Sequence, residues 1–296
     1  MKIIDKTKIY NYYRLIKDKI ICIFYKYPNI LDNYETIDKI INDRCSISRF
    51  GDGELDLLIK NKGFRFQKIN NRLSERLEEV LKSDNDKLII GIPKVFRKKD
   101  LDFRTEESKR WWSNYVLDNR LNWYKYLNNR KIYGDSTFTR NYIAVKNKSK
   151  SGDYFNYVKK IWNNRNVIIV EGEFSRLGVG NDLFSNASSI ERILAPNENA
   201  FDKYDNILKE IMKQSKENLI LLALGPTATI LAYDLCRLGY QALDIGHIDI
   251  EYEWFLKKVD KKVPIENKYT FEAGNLIESD AFENKEYNKQ IVSIVI

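Results

Sequence analysis

Asp52 and Glu54 stand among Gly51 and Gly53 in the run SRFGDGELDLL, Ser48 to Leu58. Two carboxylates beside open water positions suit a hard divalent cation, Mg²⁺ or Mn²⁺, which can bridge to substrate phosphates. In a regular helix, residues two apart point to different sides, so this reading asks the glycines to bend the chain. The same residues also fit a plainer role, an acidic first turn that complements a helix dipole.

Three more stretches carry chemistry. EGEFSRLGVGNDLF offers Arg176 as a bidentate phosphate ligand, Gly178 and Gly180 for close backbone approach, and Asn181 and Asp182 for a base or ribose. Its alternative is a glycine-rich turn with an Asn or Asp cap. LALGPTAT ends an apolar run at Gly225 and opens a helix, so Gly225 and Thr227 could cradle an anion; an ordinary turn with a threonine cap fits as well. DIGHIDIEYEW holds His247, the single histidine, beside Asp249. His247 could bind phosphate or metal or act as a base, or it could be structural.

These residues need strands and helices to hold them. Apolar runs at 45–50, 87–93, 166–172, 218–225 and 241–246 predict strands, and LILLAL reads as a strand buried on both faces. Helical spacing predicts helices over 34–42, 71–81, 108–127, 153–162, 202–213 and 226–238, the last opened by Pro226 and stopped by Gly239. Alternation of this kind predicts an α/β fold, a Rossmann-like, mostly parallel sheet with helices on both faces. In such sheets ligands bind beyond the C-terminal ends of the strands, where Arg49, Gly51 and the motifs above fall. The expected division is a basic, aromatic helical extension over 1–33, one main domain over 34–262, and a C-terminal extension over 263–296.

Composition narrows the partners. The 296 residues carry a net charge of +8, but lysines alternate with acids, and no aromatic–basic module of an RNA-binding kind occurs; nucleic acid is not expected as a partner. Three scattered cysteines form no CxxC pair and suit a reducing, cytoplasmic compartment. No apolar run is long enough to span a bilayer. The stretch KIYNYYRLIKDKIICIFYKY predicts a helix that packs on the domain or rests on an anionic membrane surface, and packing is the preferred reading.

Together RFGDGE, STFTRNY, VEGEFSRLGVGNDLF, ILAPNENAF, LALGPTAT and LGYQALDIGHIDIEYEWF resemble the GT-D glycosyltransferases, a bacterial family once catalogued as a domain of unknown function. The likeness runs from about Arg49 to about Phe255. It implies a Rossmann-like domain that binds UDP and a divalent metal and transfers sugar, typically glucose, from a UDP-sugar to a growing glycan or glycoprotein glycan. It implies that Asp52 and Glu54 form the family's acidic metal motif. Arg49, Gly51, Arg176, Gly178, Gly180, Asn181, Asp182, Gly225 and Thr227 are the expected nucleotide-sugar ligands, and His247 and Asp249 the candidates for a catalytic base. The competing expectations are a non-catalytic nucleotide-binding regulator of the same fold and a basic adaptor.

Overall fold

The computed structural model describes residues 6–60, 63, 67–274 and 284–296; residues 1–5 and 275–283 of the two expected extensions lie outside the described residues. Ten α-helices and nine strands are described. They are α1 (Lys6–Phe24), β1 (Asn29–Ile30), α2 (Asn33–Asn42), β2 (Ser46–Arg49), α3 (Asp52–Lys60), α4 (Asn71–Lys82), β3 (Leu88–Ile92), α5 (Glu106–Tyr126) and β4 (Ile132–Asp135). Then follow α6 (Ser151–Lys159), β5 (Asn166–Gly172), β6 (Ser189–Ala195), α7 (Tyr204–Ile211), β7 (Leu219–Ala223), α8 (Pro226–Arg237), β8 (Gln241–Asp244), α9 (Ile248–Leu256), α10 (Lys285–Gln290) and β9 (Ile291–Ile294).

The strands form one sheet in the order β1-β4-β3-β2-β8-β7-β5-β6-β9, with every neighbouring pair parallel. The central strands are apolar on both sides, as the sequence reading expects: Leu219 to Leu222 are all buried. Parallel neighbours need crossovers, and their hand decides which face each helix covers. Steps toward the β1 edge carry α3, α4, α5, α7 and α8, whose Leu55, Leu77, Trp123, Ile207 and Leu231 share one core. Steps toward the β9 edge carry α2, α6 and α9, whose Ile37, Phe155 and Trp254 share the other. Direction and face correspond throughout, as a single crossover hand requires.

Local chemistry fixes the helix ends. Asp32 and Glu35 close a reciprocal capping box on α2, with Glu35 N–H donating to Asp32 at 2.9 Å and Asp32 N–H to Glu35 at 2.7 Å. In α4, Asn70 caps the start and Leu73, Leu77, Val80 and Leu81 form the buried stripe at helical spacing. Cutting one such buried leucine to alanine should cost roughly 2–5 kcal/mol.

The segment expected to be an appendage after residue 262 joins the sheet. Strand β9 pairs with β6, and Lys268 is buried against α9.

Candidate active site

The central strands β2, β8, β7 and β5 end at one cavity of about 1060 Å³. Its wall includes Asp52, Glu54, Gly225, Asp244, His247 and Glu272, with Trp111 and Trp112 of α5 also lining it. This is where an open parallel sheet places its ligand.

The turn after β2 is a regular helix start. Gly51 N–H donates to Glu54 Oε2 at 2.8 Å, and Gly51 C=O accepts from Leu55 N–H at 3.2 Å. Glu54 thus reaches back across the first turn as half of a capping box. Asp52 and Glu54 both belong to the first turn of α3, near enough for the Asp52 charge to add to the upward push on the Glu54 carboxyl. Both border the cavity. Asp52 is exposed, and its carbonyl accepts from the Tyr115 hydroxyl at 3.2 Å. Glu54 is half-buried; enclosure and then the Asp244 charge push its carboxyl up to about 7, against the pull of the Gly51 amide.

Arg49 holds the floor. Its Nε and Nη2 donate to Asp244 Oδ1 at 3.2 and 3.0 Å, and its Nη1 to Ser136 C=O at 3.0 Å and Thr139 Oγ1 at 2.5 Å. Gly246 lies over this guanidinium at φ +47°, and a Cβ there would come within 2.0 Å of Nη2. Arg49 is therefore engaged on three sides, tying β2, β8 and the turn after β4 together. Burial pushes the Asp244 carboxyl up, and Arg49 and Thr229 oppose it.

The glycine-rich loop after β5 mostly turns away from the cavity. Asp249 Oδ1 accepts from Gly178 N–H and Asn181 Nδ2, both at 2.8 Å, while its Oδ2 accepts from Lys268 Nζ at 2.8 Å. Asn181 and Lys268 also donate to Glu253, at 2.7 and 2.8 Å. Asp182 pairs with Lys159 at 2.7 Å and accepts from the Tyr252 hydroxyl at 2.6 Å, which hold its carboxyl below the ordinary range. Arg176 is buried at φ +50° and donates to the Asn267 carbonyl at 2.8 Å. Gly180, at φ +80°, is exposed. The cavity receives Gly172, Ser175 and Leu177 from this stretch and does not receive Arg176, Gly178, Gly180, Asn181 or Asp182.

Gly225 lines the cavity as the N-cap of α8, which brings the positive end of that helix to the wall. Thr227 lies one layer deeper: it is fully buried, outside the lining, and its Oγ1 has no hydrogen-bond partner. His247 stands at the N-cap position of α9 without a side-chain capping bond and lines the cavity. Enclosure, then Arg140, Arg49 and Lys262, push its imidazole down to about 4, so it is neutral near pH 7. Asp249 also borders the cavity, but both of its oxygens are taken.

Several lining residues carry no role in the sequence reading. Arg140 pairs with Glu272, which also meets Lys262 at 2.5 Å. Burial works against both charges and the pairing outweighs it, raising the guanidinium and lowering the carboxyl. Arg140 lies within STFTRNY, but the short strand that places it, β4, is not apparent from an apolar run. Arg104 is buried at the wall; its Nη2 donates to Thr137 Oγ1 at 3.3 Å, and it lies 5.8 Å from the Trp112 ring. Trp111 stacks on Tyr115 with ring centres 5.2 Å apart and is 45% exposed, giving the mouth a flat aromatic face. Separation in sequence hides this group: the residues come from the stretch running from Arg104 into α5, the turn after β4 and the segment from Lys262 to Glu272.

Among the described residues no three acidic, histidine or cysteine side chains converge into a ready-made metal cage. Mg²⁺ does not require one, because it is commonly held by one or two carboxylates with water and substrate phosphates completing its shell. Asp52 and Glu54, with Asp244 behind them, are oxygen donors at an open cavity and fit a cation held that way. Enclosure first and the Asp244 charge second raise the Glu54 carboxyl, and a cation beside it would offset the second of these.

The pattern of the family described as glycosyltransferase GT-D fold matches residues 47–273. A probable glycosyl transferase of Streptococcus gordonii is 37% identical over 266 residues, covering 90% of this chain and 38% of the relative. Glycosyltransferase GlyD of Streptococcus pneumoniae serotype 4 is 37% identical over 264 residues, covering 88% of this chain and 32% of the relative. The chain thus spans about a third of the length of these curated relatives. A solved structure of the domain of unknown function 1792, described as a distinct glycosyltransferase fold, superposes with a TM-score of 0.87 at 37% identity, covering 95% of this chain and 99% of that one. A glycosyltransferase of the same domain type from Streptococcus sanguinis gives 0.85 at 35% identity, covering 91% and 100%. With its parallel sheet, its cavity at the strand ends and a match over most of its length, the chain belongs to the GT-D glycosyltransferase family.

Proposed function

We propose that the protein is a metal-dependent hexosyltransferase that moves a hexose, glucose being the first choice, from a UDP-sugar to a growing surface glycan or glycoprotein glycan. The observation that carries this reading is one cavity joining three features: the start of α8 at Gly225, the carboxylates of the β2–α3 turn, and an exposed aromatic rim. A helix start favours a diphosphate, and carboxylates favour the cation that accompanies one. The rim formed by Trp111 and Trp112 offers an apolar face to an acceptor sugar.

A divalent ion bound here would offset the charge that develops on departing UDP. Asp52 and Glu54 are the residues that would hold it. Arg140, tied to Glu272, and Arg49, tied to Asp244, supply fixed positive charge around the diphosphate, already oriented before reaction. His247 is neutral and faces the cavity, so its free nitrogen can accept a proton from an acceptor hydroxyl. Enclosure depresses it most and the cations next, and a bound diphosphate would offset the cations' share. Asp249 is better placed to hold the loop after β5 than to move a proton, because three donors fill its oxygens.

The test is turnover of a panel of nucleotide sugars with and without Mn²⁺, using hydrolysis as the readout where no acceptor is supplied. Metal-dependent release of UDP, abolished by Asp52→Asn, supports the reading. UDP binding without release from any donor would leave a nucleotide-binding protein and overturn it.

A further inference from the structure

Helix α1 is mounted with its apolar side outward. At about 100° per residue, Ile9, Tyr12, Tyr13, Ile16, Ile20, Ile23 and Phe24 fall within a stripe about 120° wide. All seven are exposed, from 40% at Ile16 to 77% at Ile23 and Phe24. The opposite side meets the domain chiefly through polar groups. Arg14 donates to both oxygens of Asp118 at 2.7 Å and to the Asn114 carbonyl at 3.1 Å, and Asp18 pairs with Arg120 at 2.5 Å. Among the described residues of α1, Ile21 is the buried apolar one. An amphipathic helix on a soluble domain ordinarily buries its apolar stripe; here charge pairs hold the helix by its polar edge.

We infer that α1 is a membrane-surface anchor that lays this stripe into the interface of a bilayer containing anionic phospholipid. Charge selects this occupant. Lys17 and Lys19 lie about 80° to either side of the centre of the stripe, just beyond its edges, and both are exposed. Between Ile9 and Tyr27 the single acid is Asp18, which faces the domain. The outward surface is therefore apolar and flanked by lysine, the pattern of a helix lying in a lipid interface. A second copy of α1 would bring lysines against lysines, with no acid to pair across the seam. The helix is also no membrane span: no described helix is long and apolar enough to cross.

The full chain should sediment with vesicles of phosphatidylcholine mixed with phosphatidylglycerol, and far less with phosphatidylcholine alone. Ile16→Glu combined with Ile20→Glu should reduce binding at least tenfold. Lys17→Gln combined with Lys19→Gln should reduce binding to the anionic vesicles by roughly thirtyfold. Unfolding temperatures should stay unchanged, because these side chains face solvent. Equal binding to both vesicle types, or undiminished binding by the Ile16/Ile20 variant, overturns the proposal. So does a dimer dissolved by that variant in a protein that ignores vesicles, since a second copy would then cover the stripe. None of these readouts depends on the donor or on turnover.

Discussion

The turn after β2 and the loop after β5 look alike in sequence: both place glycines among charged residues where a buried strand ends. In the structure they do opposite things. The loop spends its polar groups on itself and on α9, with Gly178, Asn181 and Lys268 all donating to Asp249. The turn leaves carboxylate at the cavity, with Asp52 exposed and Glu54 raised toward neutrality. Glycine and charge at a strand end thus identify the end of the sheet that matters. Whether the charges serve the fold or a ligand depends on whether partners lie within reach, and those partners come from distant segments.

The sharpest break of this comparison is Lys268→Met. Removing the buried cation leaves Asp249 and Glu253 close together and uncompensated, so unfolding should become easier by roughly 3–5 kcal/mol. Chemical denaturation measures it, and a shift below 1 kcal/mol would mean that the loop does not depend on this network. Next come Asp52→Asn and Glu54→Gln. Turnover should fall at least a hundredfold, equivalent to about 2.7 kcal/mol of barrier, while the unfolding midpoint barely moves. A lowered midpoint with full turnover would reduce the pair to helix-start residues. Arg176→Lys should act on the loop side: losing the guanidinium geometry should cost about 1 kcal/mol of stability and leave turnover per folded molecule intact. Lost turnover at unchanged stability would instead assign Arg176 to phosphate.

The smallest effect concerns pH. Arg140 and Lys262 hold the Glu272 carboxyl below its ordinary range, outweighing burial. A depressed carboxylate contributes stability that is present above its unfolded value and is lost as pH falls through the folded one. Between pH 6 and pH 3 the wild type should therefore lose more of its unfolding midpoint than Glu272→Gln, by an amount worth about 1 kcal/mol or less for this partly exposed pair. Parallel pH curves for the two proteins would remove the pair from the account of the cavity wall.

Continuous apolar runs made the central strands legible: the expected 166–172 coincides with β5, and the other four runs fall within two residues of β2, β3, β7 and β8. The missed strands lack that signal. In β6 the run is broken by Glu191 and Arg192, and Arg192 is buried because it pairs with Glu171 at 2.5 Å, a partner on the neighbouring strand. Strand β4 is four residues long and ends in a buried aspartate, and β9 follows α10 in a segment read as an extension. The candidate site was legible where one motif carries it, as at Asp52, Glu54, Gly225 and His247. Arg104, Arg140 and Glu272 were not, because a cavity wall assembled from three distant segments has no signature in any one of them.

The Lys268 ammonium has a consequence for the order in which the molecule is made. The ribosome releases Asn181 and Asp249 before Lys268, and domains begin to fold as the chain emerges. Until that lysine arrives, Asp249 and Glu253 face each other across Asn181 without a cation. The loop after β5 and the start of α9 therefore gain their final geometry late, when the segment around residue 268 docks. A nascent chain halted before that residue should hold a formed central sheet around a loose rim, a state that a protease able to cut near Gly180 would detect.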